Sequence, residues 1–536
     1  MKKNSILFIS ALALSSVLFS CKDDIETPGG TPSKGTLTFM AEIAEGTKTT
    51  VDSEGKVSWV AGDKISITDD EGTGIYATTG STSKEEFEYS SGTDLKKTSG
   101  PFYAFYPSSI VPTSISGGTA TVSATLPKYQ KHSANGSSYP MFAKSNSRTM
   151  YFKNLCGIIE INLSDVNGKK LESIKLTAAE ALRGDFTVSE TDGAVLKTSP
   201  AQPKDVVLSC GEGVELSSTA QPFRIAVPAG EYTEITLELT ATDGSVVKYA
   251  LGEGKSITVQ RSQRTPVNIG IAEKEWRAPY LNGKFSVSDT KQVQFSRGNL
   301  YCEKFGDTQF KFKFEYQQYD YRSRDNGGEN MANISGRYPI TSTPDSTSGH
   351  FQWNIETAVE GGDFGAFNYV WDVDLIGTAD DVLDWGEALE GNWYTLTKEE
   401  WEYLLEGRPN ASALWGKFMV CGVKGIIIAP DGYSESLSDT YTSETWKTAE
   451  EDGLVFIPAA GADTKEGEYK VGEFCDYWTS SHGVNGDIGI VGKEGTAENA
   501  AYDMYGAYDE ATYGDEALGF KAYNNWRNYA LSVRLV

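Results

Sequence analysis

The chain is short of the residues on which most metal and nucleophile chemistry depends. Its 536 residues include three histidines, His132, His350 and His482, none in a His-Glu-x-x-His or Ser/His/Asp arrangement. Of six cysteines, the five after Cys21 (Cys156, Cys210, Cys302, Cys421 and Cys475) are far apart and form no Cys-x-x-Cys pair, so no zinc site is visible. One or two disulfides stay open in an exported chain, and the other thiols read as small buried residues. Positive charge is scarce: 48 Lys and Arg face 74 Asp and Glu, a formal net charge of -26. That balance argues against nucleic acid or an anionic membrane as a direct partner. Beyond the N-terminus no segment approaches the ~20 apolar residues of a membrane-spanning helix. What is abundant is aromatic: 28 Tyr and 11 Trp, with nine of the Trp at or beyond Trp353. Charged residues, at 23%, are too few for a mostly disordered chain, and the length predicts roughly three or four domains.

At the N-terminus Lys2 and Lys3 precede an apolar stretch from Ile6 to Phe19, the pattern of a secretory signal. "LFSC" ends it with Ser20 and Cys21 and resembles a bacterial lipobox. This resemblance implies lipidation of Cys21, an ordinary signal peptide being the alternative. "KDD" follows and looks like a signal for the outer face of the outer membrane. The expectation is a signal peptide over 1–21, a flexible tether over 22–35, and membrane contact through the lipid anchor alone.

From residue 36 the chain reads as short strands and turns. In "TLTFMAEIA" Leu37, Phe39, Ala41 and Ile43 alternate as in a half-buried strand. "KVSWVAGDKISI" turns at Gly62-Asp63, and "EITLELTATDGSVVKYAL" is a hairpin around Asp243-Gly244. One stretch differs, "WYTLTKEEWEYLLEGRPN". Thr397 and Glu400 form a capping box, Leu396 and Trp401 a hydrophobic staple, and Trp401, Leu404 and Leu405 one apolar face. The predicted division is a first β-sandwich over 36–147, a second over 148–271, a linker over 272–283 and a third domain over 284–536.

Residues 36–271 resemble fimbrillin-family surface lipoproteins through "WVAGDKISI", "FYAFYP", "LPKYQ", "MFAKS" and "FKNLCGIIEI", taken in that order. The resemblance implies two transthyretin-like or immunoglobulin-like β-sandwiches. It also implies other fimbrial subunits as partners, joined by donor-strand exchange after proteolysis just beyond the first strand. Lys48, in the polar "EGTKTT", stands where that cut would fall, although the family site is usually Arg. Residues 284–536 resemble an α+β module related to C-type lectins and sulfatase-modifying factors through "FSVSDTKQVQFSRGNL", "TLTKEEWEYLL", "GVKGIIIAP", "GLVFIPAAG", "YWTSS" and "SVRLV". In such a module the capped helix is scaffold, with Trp401 under a sheet and Trp478 in the core. The mostly β chain is thereby expected to be a fimbrial tip or accessory adhesin, or else a non-polymerising outer-membrane glycan-binding lipoprotein.

Enzymatic chemistry is not expected, because the sulfatase-modifying relatives use two close late cysteines and only Cys475 lies there. No cofactor is expected either. The Glu-Pro-Asn, Gln-Pro-Asp and Trp-Asn-Asp motifs of calcium-dependent lectins do not occur. Asp372, Asp374, Asp380, Asp381 and Asp384 read as a solvated acidic loop or a structural Ca²⁺ site, at a spacing unlike an EF-hand. The best ligand-binding candidate is "NAAYDMYGAYDEATYGDEALGFKAYNNWRN". There Tyr502, Tyr505, Tyr508 and Tyr513 stand among small residues in an expected long loop, the composition of binding loops for glycans or proteins. Trp526 and Arg527 border it, with Arg527 read as holding the C-terminal strand. His482, in the expected loop "TSSHG", is a further contact candidate.

Overall fold

In the computed structural model the chain divides into two compact units, one ending at Arg277 and the other running from Ala278 to Val536. The structure describes residues 37–43, 58–321 and 384–536, the last two ranges with short interruptions, and short strand segments between 334 and 369. Among the described residues no helix is long and apolar enough to cross a membrane, a statement that leaves β-barrels aside.

Unit 1 begins with β1 (Phe39–Ile43), β2 (Lys64–Thr68), β3 (Thr73–Ala77), β4 (Lys84–Gly92) and β5 (Phe102–Tyr106). The chain then leaves this group through β6 (Pro112–Ser116), β7 (Thr119–Leu126) and β8 (Tyr129–Lys131), and returns as β9 (Met141–Ser145) and β10 (Thr149–Asn154). Seven of these strands close into a barrel in the order β1-β10-β9-β5-β2-β3-β4. Alternation sets which residues fill it: Phe39, Ala41, Ile65, Ile67, Phe102, Ala104, Met150 and Phe152 are buried around Trp59. Trp59 meets the rings of Phe87, Tyr106 and Phe152 edge-on at 5.0, 5.5 and 5.3 Å. The first β domain, expected as a sandwich, is a closed ring.

The strands that leave the barrel correct the expected division at 147/148. β7 pairs antiparallel with Gly184–Ser189, setting Ala120 opposite Val188, and β8 pairs parallel with Asp205–Glu215. β6 to β8 therefore belong to the second set of sheets, while β9 and β10, on either side of the expected boundary, belong to the barrel. The physical reason is a shared apolar layer. Phe105 and Phe142 from the barrel wall pack with Ala120, Val122, Phe186 and Val188, so neither half closes without the other. The rest of unit 1 is built on Gly157–Asp165, which pairs antiparallel with Gln221–Val227 and parallel with Arg264–Ile271. Asp243-Gly244 makes the expected hairpin turn, with Gly244 at φ 77° between Thr236–Ala241 and Val246–Ala250.

Unit 2 holds the capped helix. Thr397 Oγ1 accepts from Glu400 N at 3.1 Å, and Glu400 Oε2 accepts from Thr397 N at 3.0 Å. α1 (Lys398–Glu402) then runs into a π-helical turn over Tyr403–Gly407. Leu396, Trp401, Leu404 and Leu405 are buried against Ile426, Ile428, Val455 and Ile457, the inward residues of two neighbouring strands, so Trp401 does lie under a sheet. A second helix, α2 (Ser443–Glu451), escaped the sequence reading. Its box uses Thr445 in place of the usual Glu or Gln, with Thr442 Oγ1 accepting from Thr445 N at 3.3 Å. The last residues, Leu531 to Val536, are all buried. They bond to three separate segments, through Ser296 N and Leu300 N, Tyr394, and Trp478 N.

Candidate functional site

Among the described residues one candidate site is taken in each unit. In unit 1 it is the position of β1. This five-residue strand lies between β10, with which it is parallel, and β4, with which it is antiparallel. Its side chains alternate: Phe39, Ala41 and Ile43 enter the barrel, while Met40 and Glu42 are half-buried. Trp59 Nε1 donates to the carbonyl of Ala41 at 3.1 Å. Arg148, just before β10, places its guanidinium 4.3 Å from the centre of the Phe39 ring and donates to the carbonyls of Leu95 and Lys97, both at 2.8 Å. β1 is thus held by a tryptophan floor, an arginine at its entry and two flanking strands. Lys48, the expected cleavage site, and Cys21, the expected lipidation site, lie outside the described residues.

In unit 2 the part of the tyrosine-rich stretch that carries Tyr502 and Tyr505 is strand and not loop, which corrects the expectation for those residues. Ala500–Ala507 is the central strand of a three-stranded sheet, antiparallel to Phe474–His482 on one side and Lys521–Trp526 on the other. Alternation along it puts Tyr502 and Tyr505 on opposite faces. Tyr502 shares its face with Met504, which is buried with Trp401, and Lys398 Nζ lies 5.2 Å from the Tyr502 ring centre. Tyr505 packs on the other face against Phe474 at 4.9 Å and Tyr523 at 5.2 Å. Tyr508 follows the strand, 5.4 Å below Lys424 Nζ. All three tyrosines are half-buried, so the single exposed platform that the composition predicts is split in two.

His482 ends the Phe474–His482 strand, opposite Ala501, and its Nδ1 lies 2.8 Å from the carbonyl of Gly483. It is therefore next to Tyr502 in the sheet and far along the strand from Tyr505. Trp526 pairs with Ala500 through the backbone, and its side chain lies outside the described residues. Tyr513, Arg527, Asp372, Asp374, Asp380 and Asp381 also lie outside them. Asp384 is described and is no free cation ligand. Its Oδ1 accepts from Gly386 N at 2.8 Å and Thr395 Oγ1 at 3.1 Å, and its Oδ2 from Thr395 N at 2.8 Å. It caps a 3-10 turn over Trp385–Ala388.

Sequence reasoning passed over the buried charges. Arg534 pins the C-terminal residues: Nη1 donates to Asn299 at 3.2 Å and Nη2 to Gln318 at 2.9 Å, and burial pulls it down to about 10. Asn299 in turn donates to the hydroxyl of Tyr477 at 2.7 Å. Asp476 and Asp503 are both buried on the face that carries Tyr505. Cys156, Cys210 and Cys475 are buried free thiols, the first two pushed up to about 12 by burial, and Cys421 is a half-buried one.

No family model matches the chain, and no curated protein matches it. Among solved structures it is similar to one described as a candidate cell adhesion protein from Bacteroides uniformis, with 16% identity and a TM-score of 0.31, over 46% of this chain and 96% of that one. It is similar to the tip fimbrial protein from Porphyromonas gingivalis with a C-terminal truncation, at 10% identity and a TM-score of 0.23, over 45% of this chain and 96% of that one. A fimbrial assembly protein from Parabacteroides distasonis is similar at 10% identity and a TM-score of 0.24, over 48% of this chain and 98% of that one. These three solved structures are described in adhesion or fimbrial terms.

Proposed function

We propose that the protein is a surface adhesin subunit of the fimbrial kind, lipid-anchored through Cys21 as a precursor. Unit 1 accepts a partner's strand in place of β1, and unit 2 is a lectin-like head that carries the surface for a glycan or protein ligand on a host or another bacterium. The observation that carries this reading is the position of β1. It is the first described strand, five residues long, and its loss would open one slot between β4 and β10 without breaking any other pairing in the barrel. A strand entering that slot would gain main-chain hydrogen bonds on both sides and fill the places of Phe39, Ala41 and Ile43. Leu531 to Val536, in contrast, are built into the core of unit 2 and would have to be torn from it to serve as a donor. In this reading the subunit acts as a strand acceptor at the tip of a fibre.

The test is assembly. Protein cut after Lys48 and mixed with its cognate stalk subunit should give one-to-one caps. Longer copolymers that contain it internally would refute the tip position. A cut protein that takes up no strand would point instead to a non-polymerising, glycan-binding lipoprotein of the outer membrane.

A further inference from the structure

Asp476 and Asp503 have no part in that reading, and their surroundings are unusual. They sit on neighbouring antiparallel strands, Asp476 opposite Tyr505 and Asp503 opposite Trp478, hence diagonal to each other on one face. Their exposures are 3% and 0%. Oδ1 of Asp476 and both carboxylate oxygens of Asp503 have no partner at full hydrogen-bond geometry, and only looser approaches of Asn525, the Asp503 backbone N–H and Asp476 itself ease the charge of Asp503. Lys521, opposite Tyr505 on the third strand, is exposed, and no cation is among the groups that shift either carboxyl; the other groups around them are neutral. Phe474, Tyr505 and Tyr523 lie on one side along the face, and Asn525 stands on the third strand. Cys475 and Tyr477 turn to the opposite face. From the C-terminal segment Ser532 N bonds the backbone carbonyl of Asp476, and Arg534 is engaged with Asn299 and Gln318. The charge that acts on Asp476 is that of Asp503.

Two bare carboxylates cannot both stay ionised in such a place, since each loses its hydration and repels the other. Either a cation or a proton must neutralise them. A hard cation takes six to eight oxygens, and among the described residues no group of three His, Cys, Asp or Glu could hold a metal ion. A proton needs only the pair.

We propose that Asp476 and Asp503 hold a shared proton across the two strands, and that this carboxyl pair makes the sheet bearing the tyrosines an acid-stabilised element. The donor missing for the orphaned oxygens is then the proton itself. Burial, and the charge of Asp503, push Asp476 well above the usual carboxylate range, and burial pushes Asp503 up to about 6. The native pair keeps protons that the unfolded chain releases near pH 4. The native state therefore binds more protons between about pH 4 and the raised native values, and stability falls as pH rises through that window.

The net charge of the whole chain also favours mild acid, so the pair must be isolated by comparison. Unfolding of the full chain near pH 7 should release at least one proton more than unfolding of the Asp476→Asn/Asp503→Asn variant, measured by calorimetry in buffers of different ionisation heat. The native protein should also show the carbonyl stretch of a protonated carboxyl in its infrared spectrum, lost in the variant. Should the double variant not fold, the single Asp503→Asn variant and the wild-type infrared band carry the test. Equal proton release, or no protonated carboxyl band, would overturn the proposal. So would a melting temperature raised by Ca²⁺ in the wild type and not in the variant, which would assign the pair to a cation.

Discussion

Replacing Phe39 by Ala probes whether β1 is a separable strand. The ring is fully buried, edge-on to Tyr76 at 4.9 Å and Phe102 at 5.1 Å, with the Arg148 guanidinium 4.3 Å above it. Truncating a buried Phe to Ala costs about 3–5 kcal/mol. Taking about 4 kcal/mol, the equilibrium for releasing β1 shifts roughly a thousandfold at 1.4 kcal/mol per factor of ten. The loss should fall on β1 and the strands that flank it, because Ala41 and Ile43 are then the only large-core contacts that β1 keeps on its inner face. Native-state hydrogen exchange reads this directly. Amides of β4 and β10 that face β1 should exchange faster by about that factor, while those of β2, β3 and β5 stay near their wild-type rates. Equal acceleration across all seven strands would mean that β1 cannot leave without the barrel unfolding. No acceleration at all would mean that Phe39 does not hold the strand. Either result removes the basis for strand exchange.

Asp431 accepts from Ser286 N at 2.8 Å, Ser286 Oγ at 2.7 Å, Gln292 at 2.9 Å and Arg408 at 3.1 Å, and the Arg408 side chain is fully buried. Asp431→Ala would strand that guanidinium and should cost about 3 kcal/mol or more by urea midpoint; a loss under about 1 kcal/mol would contradict the pairing. Although burial works to raise it, the bonds from Ser286, Gln292 and Arg408 hold the Asp431 carboxyl below its usual range. Its contribution is therefore present above about pH 4 and lost as pH falls through the lower native value, and Asp431→Asn should flatten that acid-side loss. Tyr505→Ser, which removes a ring packed between Phe474 and Tyr523, should lower stability by about 2 kcal/mol. Tyr502→Ser, beside Lys398 at the other face, should cost less in the same denaturation assay, and the reverse order would mean that the assignment of faces is wrong.

The sequence by itself determined what is local or simply large. The box of Thr397 and Glu400 spans three residues, so its hydrogen bonds follow from the spacing alone, and the Asp243-Gly244 turn needs only a residue free to adopt positive φ. Trp401 and Trp478 were legible as core because rings of that size rarely remain in water, and each is about 1% exposed. The tertiary structure decided what depends on partners far along the chain. Nothing within β6 to β8 says that they pair with residues near 188 and 207 rather than with the barrel strands on either side of them, because pairing is chosen by which apolar faces meet. Composition made 500–508 look like a loop, since Gly, Asp and Tyr crowd there, yet two long neighbours satisfy its backbone on both edges and turn its tyrosines to opposite faces. Asp476 and Asp503 were unreadable for the same reason. An aspartate is expected at the surface, and only the closing of the sheet over both carboxyls makes them a buried pair.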